Sequence, residues 1–454
     1  QARSAHMANS LEDLAQKALS LATAAGASAA DVIAVDGTSL SVDVRNGKLE
    51  QAERSEGIEL GLRAFIGHRQ AVVSVSNTSD ETLQTMVERA VAMAQEAPED
   101  PFIGLADAAQ LAADTSSDAL ELFDASPEPS PDMLQSDATT AEAAALASGA
   151  VTQVQSASAG YSARNIHIAA TNGFSAGYQR SGRSVSCVAI AGEGLGMERD
   201  YDGDSRTFQS DLRDPSDIGE TAALRAAERL QPRKPPTGRF PVVFDERISS
   251  SLIGHLLSAA NGSAISRGSS WLLDKAGAQV LPAGLDVFED PHRPRVAASR
   301  AFDAEGLPTQ TRKIIDNGVL TGWSLDLVNA RKLDLNPTGS AARGVSSAPS
   351  PSYWNVALTQ GALDRAGLLR EMGTGLLVTS MIGSTINPNT GDYSRGAAGL
   401  WVENGEITHP VNECTIAGNL LEMLASLVPA NDARTHLSRV VPSLLVEGMT
   451  LAGA

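Results

Sequence analysis

Leu40-Ser41-Val42-Asp43-Val44-Arg45-Asn46-Gly47 alternates apolar and polar side chains and then meets an Asn-Gly pair. Alternation at period two gives a strand with one buried face, and Asn-Gly supplies the positive-φ residues of a type I′ hairpin turn. The alternation resumes at Ile58, Leu60 and Leu62, and a Val-rich run follows Gly67, so the stretch reads as a curved antiparallel meander. Upstream, Ser10-Leu11-Glu12-Asp13 predicts a capped start for an Ala- and Leu-rich helix ending near Gly26. Downstream, Thr78 and Glu81 open a helix whose Leu83, Met86, Val87, Ala90, Val91 and Ala94 share one face. These elements form an N-terminal α+β unit over residues 7–97. Residues 1–6, ending in His6 ahead of Met7, read as a vector scar and carry no functional weight.

Residues 98–138 form an acidic, Pro-rich linker in which Pro127, Pro129 and Pro131 disfavour regular helix. A middle region over 139–231 follows. It has a helix from near Thr140, strands around Ile166 and Ile168, an Asn172-Gly173 turn, a strand pair flanking Gly182, and a helix from Asp214-Pro215 to about Leu230. Pro232, Pro235 and Pro236 mark the next boundary. The C-terminal domain, 238–454, starts with a short buried strand at Phe240–Phe244 and contains Asn-Gly turns at Asn317-Gly318 and Asn404-Gly405. A last helix is expected from about Glu413 to Leu427, before a strand-like Pro442–Glu447. Helices and hairpins alternate without a βαβ period. The fold class is α+β, with helix-flanked antiparallel sheets in the N-terminal and middle regions and a hairpin-rich C-terminal domain.

A formal net charge of -19 without a basic run argues against nucleic acid. Cys187 and Cys414 give no disulfide framework and no CxxC pair, which suits a reducing compartment. No stretch approaches the roughly 20 apolar residues of a membrane span, and no signal peptide is evident, so a cytoplasmic location without membrane contact is expected.

The run Asp245 to His255 resembles a zinc-protease helix without its chemistry. A helical metal site uses two His on one face and a Glu that deprotonates the bound water. Here Ser250 and Ser251 precede a single His255. With a five-residue spacing the two ends stand roughly 140° apart on a regular helix, so convergence needs a distortion, which Gly254 permits. Ser251 and His255, four apart, also raise a Ser-His pair, but no orienting carboxylate or Gly-x-Ser-x-Gly elbow accompanies them. Elsewhere, Glu289-Asp290-Pro291-His292 and Asp303-Ala304-Glu305 form the densest His and carboxylate grouping. They read either as a divalent-ion cluster of Asp290, His292, Asp303 and Glu305 or as two solvated turns. Asp200-Tyr201-Asp202-Gly203-Asp204 lacks the glycine of a calcium loop and reads as a turn. Gly192-Glu193-Gly194-Leu195-Gly196 lacks dinucleotide spacing.

Several separated motifs resemble the TldD/PmbA family, and its TldE (PmbA) branch in particular. They include Arg54 to Arg63, Ala264 to Ser270, Glu289 to His292, Phe302 to Thr309, Ala330 to Leu333, Asn387 to Gly396 and Trp401 to Ile407, in the family's order. The resemblance implies a heterodimeric TldD-TldE metalloprotease that admits unfolded or extended peptides, in which the TldD-type subunit carries HExxxH and a further Cys near its C-terminus. The first three of those positions fall on Ser250, Ser251 and His255, and Cys414 lies well before the last strand. What the resemblance implies is a subunit with no zinc or other cofactor of its own, paired with a zinc-bearing TldD-like partner around an extended peptide. The alternative is a metal-free binding or regulatory protein, a homodimer acting through protein partners, in keeping with the family's older label, modulator of DNA gyrase.

Overall fold

The computed structural model describes residues 2–453, with side chains from Leu11 onward. Strands β1 (Ala29–Arg45), β2 (Lys48–Ile66), β3 (Arg69–Val75), β4 (Gln153–Ala170), β5 (Ser175–Ala191) and β6 (Glu198–Arg206) form one antiparallel sheet in the order β3-β2-β1-β4-β5-β6. The N-terminal and middle segments therefore contribute three strands each to a shared sheet. They join where β1 pairs with β4, from Asp31 opposite Ala170 to Val44 opposite Ala157.

The two faces of this sheet follow the period-two pattern. Even-numbered residues of β1 meet helices: Val32 and Ala34 pack with α1 (Ala2–Ala24) and α2 (Asp80–Glu96), whereas Leu40, Val42 and Val44 pack with α3 (Pro131–Ala147) and α4 (Pro215–Glu228). Odd-numbered Ile33 and Val35 face the other way, toward Phe302 of the C-terminal region. That region lies close on the sheet. A Cβ placed on Gly61 of β2 would sit 2.0 Å from the Val345 carbonyl oxygen, so only glycine fits there.

In the C-terminal region, β7 (Gly238–Phe244) sits centrally. It pairs in parallel with Gly375–Ile386 and antiparallel with Leu444–Gly453. The hairpin strands Asp392–Glu403 and Glu406–Asn419 extend the sheet, and Cys414 to Ala417 pair back with Gly453 to Thr450, closing a ring of five strands. Closure removes the free edges on those strands. Helix α5 (Ser250–Ala259) buries Leu252, Ile253, Leu256 and Leu257 with Val242, Phe244, Tyr393 and Ile416.

Several local expectations are corrected. Helix α1 runs through Ser10 rather than starting there. Helix α3 begins at Pro131, well before Thr140: proline occupies its first turn, where no N–H bond is needed, and the Ser130 side chain accepts from Met133 N. Gly182 lies inside the continuous strand β5 instead of separating two strands. The expected helix from Glu413 is strand to Asn419, its inward Cys414 and Ile416 alternating into the core, and only Leu420–Ala425 is helical. Asp200 to Asp204 is not a turn. It lies in β6, where Asp200, Asp202 and Asp204 alternate inward and pair with Arg247, Arg225 and Arg206. Asn46-Gly47, Asn317-Gly318 and Asn404-Gly405 all have positive φ at both residues, whereas at Asn172-Gly173 only the glycine does. Among the described residues no helix is long and apolar enough to cross a membrane.

Candidate functional site

Helix α5 follows β7 through Asp245, whose carbonyl accepts from Ile248 and Ser249 N and whose carboxylate takes Arg247 N at 2.9 Å and Arg365 Nη1 at 2.8 Å. The helix is α-helical from Ser250 to Ala259, with no π-bulge, so the distortion that Gly254 would permit is not used. Positions 250 and 255 therefore diverge around the axis. Ser251 Oγ donates to the Ile248 carbonyl at 2.8 Å instead of engaging a neighbouring imidazole. His255 packs edge-on against Tyr393, with ring centroids 5.8 Å apart, and its Nε2 is buried without a partner. Burial, reinforced by Arg395, lowers its proton affinity and keeps the ring neutral near pH 7.

A neutral imidazole is one zinc ligand, but the set stops there. Cys414, remote from the C-terminus in sequence, lies beside the last strand opposite Gly453. Its Sγ donates to the Ala397 carbonyl at 3.3 Å, and burial pushes the thiol up to about 11, so the thiolate that zinc requires is disfavoured. Cys187 is similar, its thiol pushed up to about 12 by burial. Among the described residues no three His, Cys, Asp or Glu side chains converge as a metal site. The residues present at α5 do not fit a zinc ion.

The second grouping separates. His292 is exposed, its backbone N–H donating to Asp290 Oδ1 and its Nε2 bonded to Thr309 Oγ1, each at 2.9 Å. Asp303 and Glu305 are buried instead. Asp303 accepts from the backbone of Glu305, Leu307 and Ala341, and Glu305 accepts from Leu327 N. Burial raises the proton affinity of Glu305, and Asp303 beside it adds to the effect. These side chains hold loops rather than presenting oxygens to an ion.

One almost fully buried charge group has no counterpart among the candidate sites in the sequence. Asp31 of β1 faces Arg63 of β2, with Oδ2 to Nη2 2.6 Å and Oδ1 to Nε 3.1 Å, and Arg343 from the C-terminal region reaches Asp31 Oδ1 at 2.7 Å. The three side chains are between 0% and 3% exposed. Burial alone would raise the Asp31 carboxyl, but Arg63 and Arg343 together outweigh it and hold it below its ordinary range. The available signal was a charged residue inside each of two apolar strand runs. Beside this triad, a cavity of about 400 Å³ opens between β1, β4 and β5 and the segments 300–304 and 341–346.

Family comparisons agree with this architecture. Models of the PmbA/TldA metallopeptidase match domain 1 at residues 30–94, the central domain at 124–230 and the C-terminal domain at 237–453. The chain belongs to the PmbA/TldD metallopeptidase family. It is 38% identical to metalloprotease PmbA of Escherichia coli O157:H7, over 98% of this chain and 96% of that protein. It is 36% identical to the PmbA homologue of Haemophilus influenzae, over 96% and 94%. The structure of a proposed modulator of DNA gyrase from Bacteroides thetaiotaomicron superposes with a TM-score of 0.88 at 28% identity, covering 97% of this chain and 98% of that one. TldE from Thermococcus kodakarensis shares the fold, with a TM-score of 0.85 at 19% identity over 96% and 99%.

Proposed function

We propose that this chain is a TldE-like subunit of a two-component metalloprotease, without catalytic zinc of its own, which helps enclose an extended peptide and supports a zinc-bearing TldD-like partner. The observation that carries the reading is α5: a regular helix with Ser250 and Ser251 where ligand and base would stand, and a single His255. Serine hydroxyls are poor zinc ligands and do not replace a carboxylate base. A subsidiary part of the reading concerns the peptide path. Strand β3 pairs with β2 only from Leu60 to Ile66, so among the described residues the outer edge of β2 from Lys48 to Glu59 has no strand beside it. An extended peptide can add to such an edge through backbone hydrogen bonds that are indifferent to sequence. The reading includes a cytoplasmic location, supported by two unpaired buried cysteines.

The test is peptide hydrolysis by this chain, by a TldD-like partner, and by the two coexpressed, with zinc measured in each preparation. Turnover by the pair, with one zinc per heterodimer, is expected. Chelator-sensitive hydrolysis by this chain alone, tracking zinc bound to it, overturns the proposal, as does a stable homodimer that never captures the partner.

A further inference from the structure

Three arginines meet at the cavity beside the buried triad without a compensating acid. Arg164 of β4 and Arg180 of β5 are direct cross-strand partners, and Arg300 joins them from the C-terminal side. Like charges placed opposite one another destabilise a sheet pair. Burial, followed by the charges of Arg300 and Arg164, lowers the proton affinity of Arg180. Among the described residues none of the three has a carboxylate within 4.0 Å; the chain's ion pairs lie elsewhere. Two acids line the same cavity. Glu59 is exposed at its mouth, and Asp303 is committed to three backbone N–H groups. In a chain of net charge -19, this uncancelled cationic group is a local exception.

Arg300 is also held in place. Arg300 Nη1 donates to the Ala297 and Ser299 carbonyls at 2.9 and 2.6 Å, and its guanidinium lies 5.2 Å from the Tyr178 ring centre. Tyr178 in turn packs edge-on against Phe302 at 5.7 Å. Next to the arginines the lining turns apolar: Ile166 and Ile168 follow Arg164 on the same face of β4, Ile33 lies on neighbouring β1, and Phe302 packs with them from the C-terminal region. A cavity of this size lies at the lower end of the range that holds a drug-sized ligand.

We infer that this cavity binds the C-terminal residue of a peptide, its α-carboxylate on Arg164, Arg180 and Arg300 and its apolar side chain against Ile166, Ile168 and Phe302. A planar carboxylate matches the guanidinium fork, and a terminal residue uses both halves of the lining. A bare phosphate group would leave the apolar wall without a role. The ligand class rests on the proposed peptide-handling function, but the binding belongs to this chain and is read on it directly.

The experiment is fluorescence anisotropy of the full chain with labelled hexapeptides ending in Leu or Phe, as free acid and as C-terminal amide, with inorganic phosphate as competitor. The free acid should bind about tenfold or more tighter than the amide. Arg180→Gln should remove most of that preference, weakening the free acid far more than the amide. Its melting temperature should not fall, since repulsion is relieved. Arg300→Lys, which retains charge but not the fork, should lose part of the preference. Equal binding of acid and amide, an unchanged preference in Arg180→Gln, or phosphate bound in place of peptide overturns the inference. Hydrolysis by the isolated chain would overturn the proposed function while leaving the acid-over-amide preference intact.

Discussion

Helix α5 and the junction around Asp31 treat polar side chains in opposite ways. On α5, Ser251 turns to its own backbone and His255 stays neutral against Tyr393, so neither side chain of that pair buries a charge. At the junction, one carboxylate and two guanidiniums are buried together, with Glu305 close enough for Arg63 to act on it. Charge withdrawn from water is held by strong Coulomb and hydrogen-bond partners or not tolerated at all. The contrast teaches that the chain's electrostatic demands lie at the seam between its first sheet and its C-terminal region, and the helix that resembles an active site is energetically bland.

The comparison breaks most sharply at Asp31. Asp31→Ala leaves two guanidiniums buried without a counter-charge, and denaturant unfolding should show a loss of about 3–5 kcal/mol. A simultaneous exchange of Asp31, Arg63 and Arg343 for apolar residues of similar volume should recover most of it; a variant as unstable as the single one would contradict the electrostatic account.

Glu305 gives the next effect. Its folded-state proton affinity is raised, so the folded protein holds a proton that the unfolded chain releases once the pH passes the ordinary carboxylate range. The penalty grows as pH rises, and Glu305→Gln, which keeps an oxygen for Leu327 N, removes it. Stability of the variant should exceed that of the parent by on the order of 1–3 kcal/mol at pH 8 and match it near pH 4. Parallel pH curves for the two proteins would refute the assignment.

The smallest effect belongs to α5. His255 has a lowered folded-state proton affinity, so the unfolded chain takes up its proton first and stability declines as pH falls through about 6.5. His255→Phe should flatten that acid limb by less than about 1 kcal/mol, the half-buried ring being screened by solvent. Melting curves at pH 5 and pH 8 measure it, and zinc content of the coexpressed pair should not change.

The first hairpin was legible because its pattern is local: Asn46-Gly47 fixes the turn and the alternation fixes the faces. The ion pair it carries was not. Counting back from the turn places Leu62 opposite Asp31, but a bulge between Asp43 and Val44 shifts the register by one and brings Arg63 there instead. The join between β1 and β4 was hidden for another reason, since any strand with a matching apolar face could have been the neighbour. Helix α3 was displaced by reading Pro131 as a breaker when it serves as a first-turn residue. At the candidate site, Ser250, Ser251 and His255 were visible because they lie on one short segment. Asp31, Arg63 and Arg343, and the arginines of the cavity, come from strands and loops that only the folded chain brings together.

The central place of β7 has a consequence for synthesis. Phe244 waits for Leu444, 200 positions later, before its antiparallel neighbour exists. At the usual pace of translation that interval is roughly 10–40 s. During it an apolar strand, Val242-Val243-Phe244, has left the ribosome without its full complement of neighbours. The nascent chain thus offers a holding chaperone a defined window, which closes when the final strand emerges.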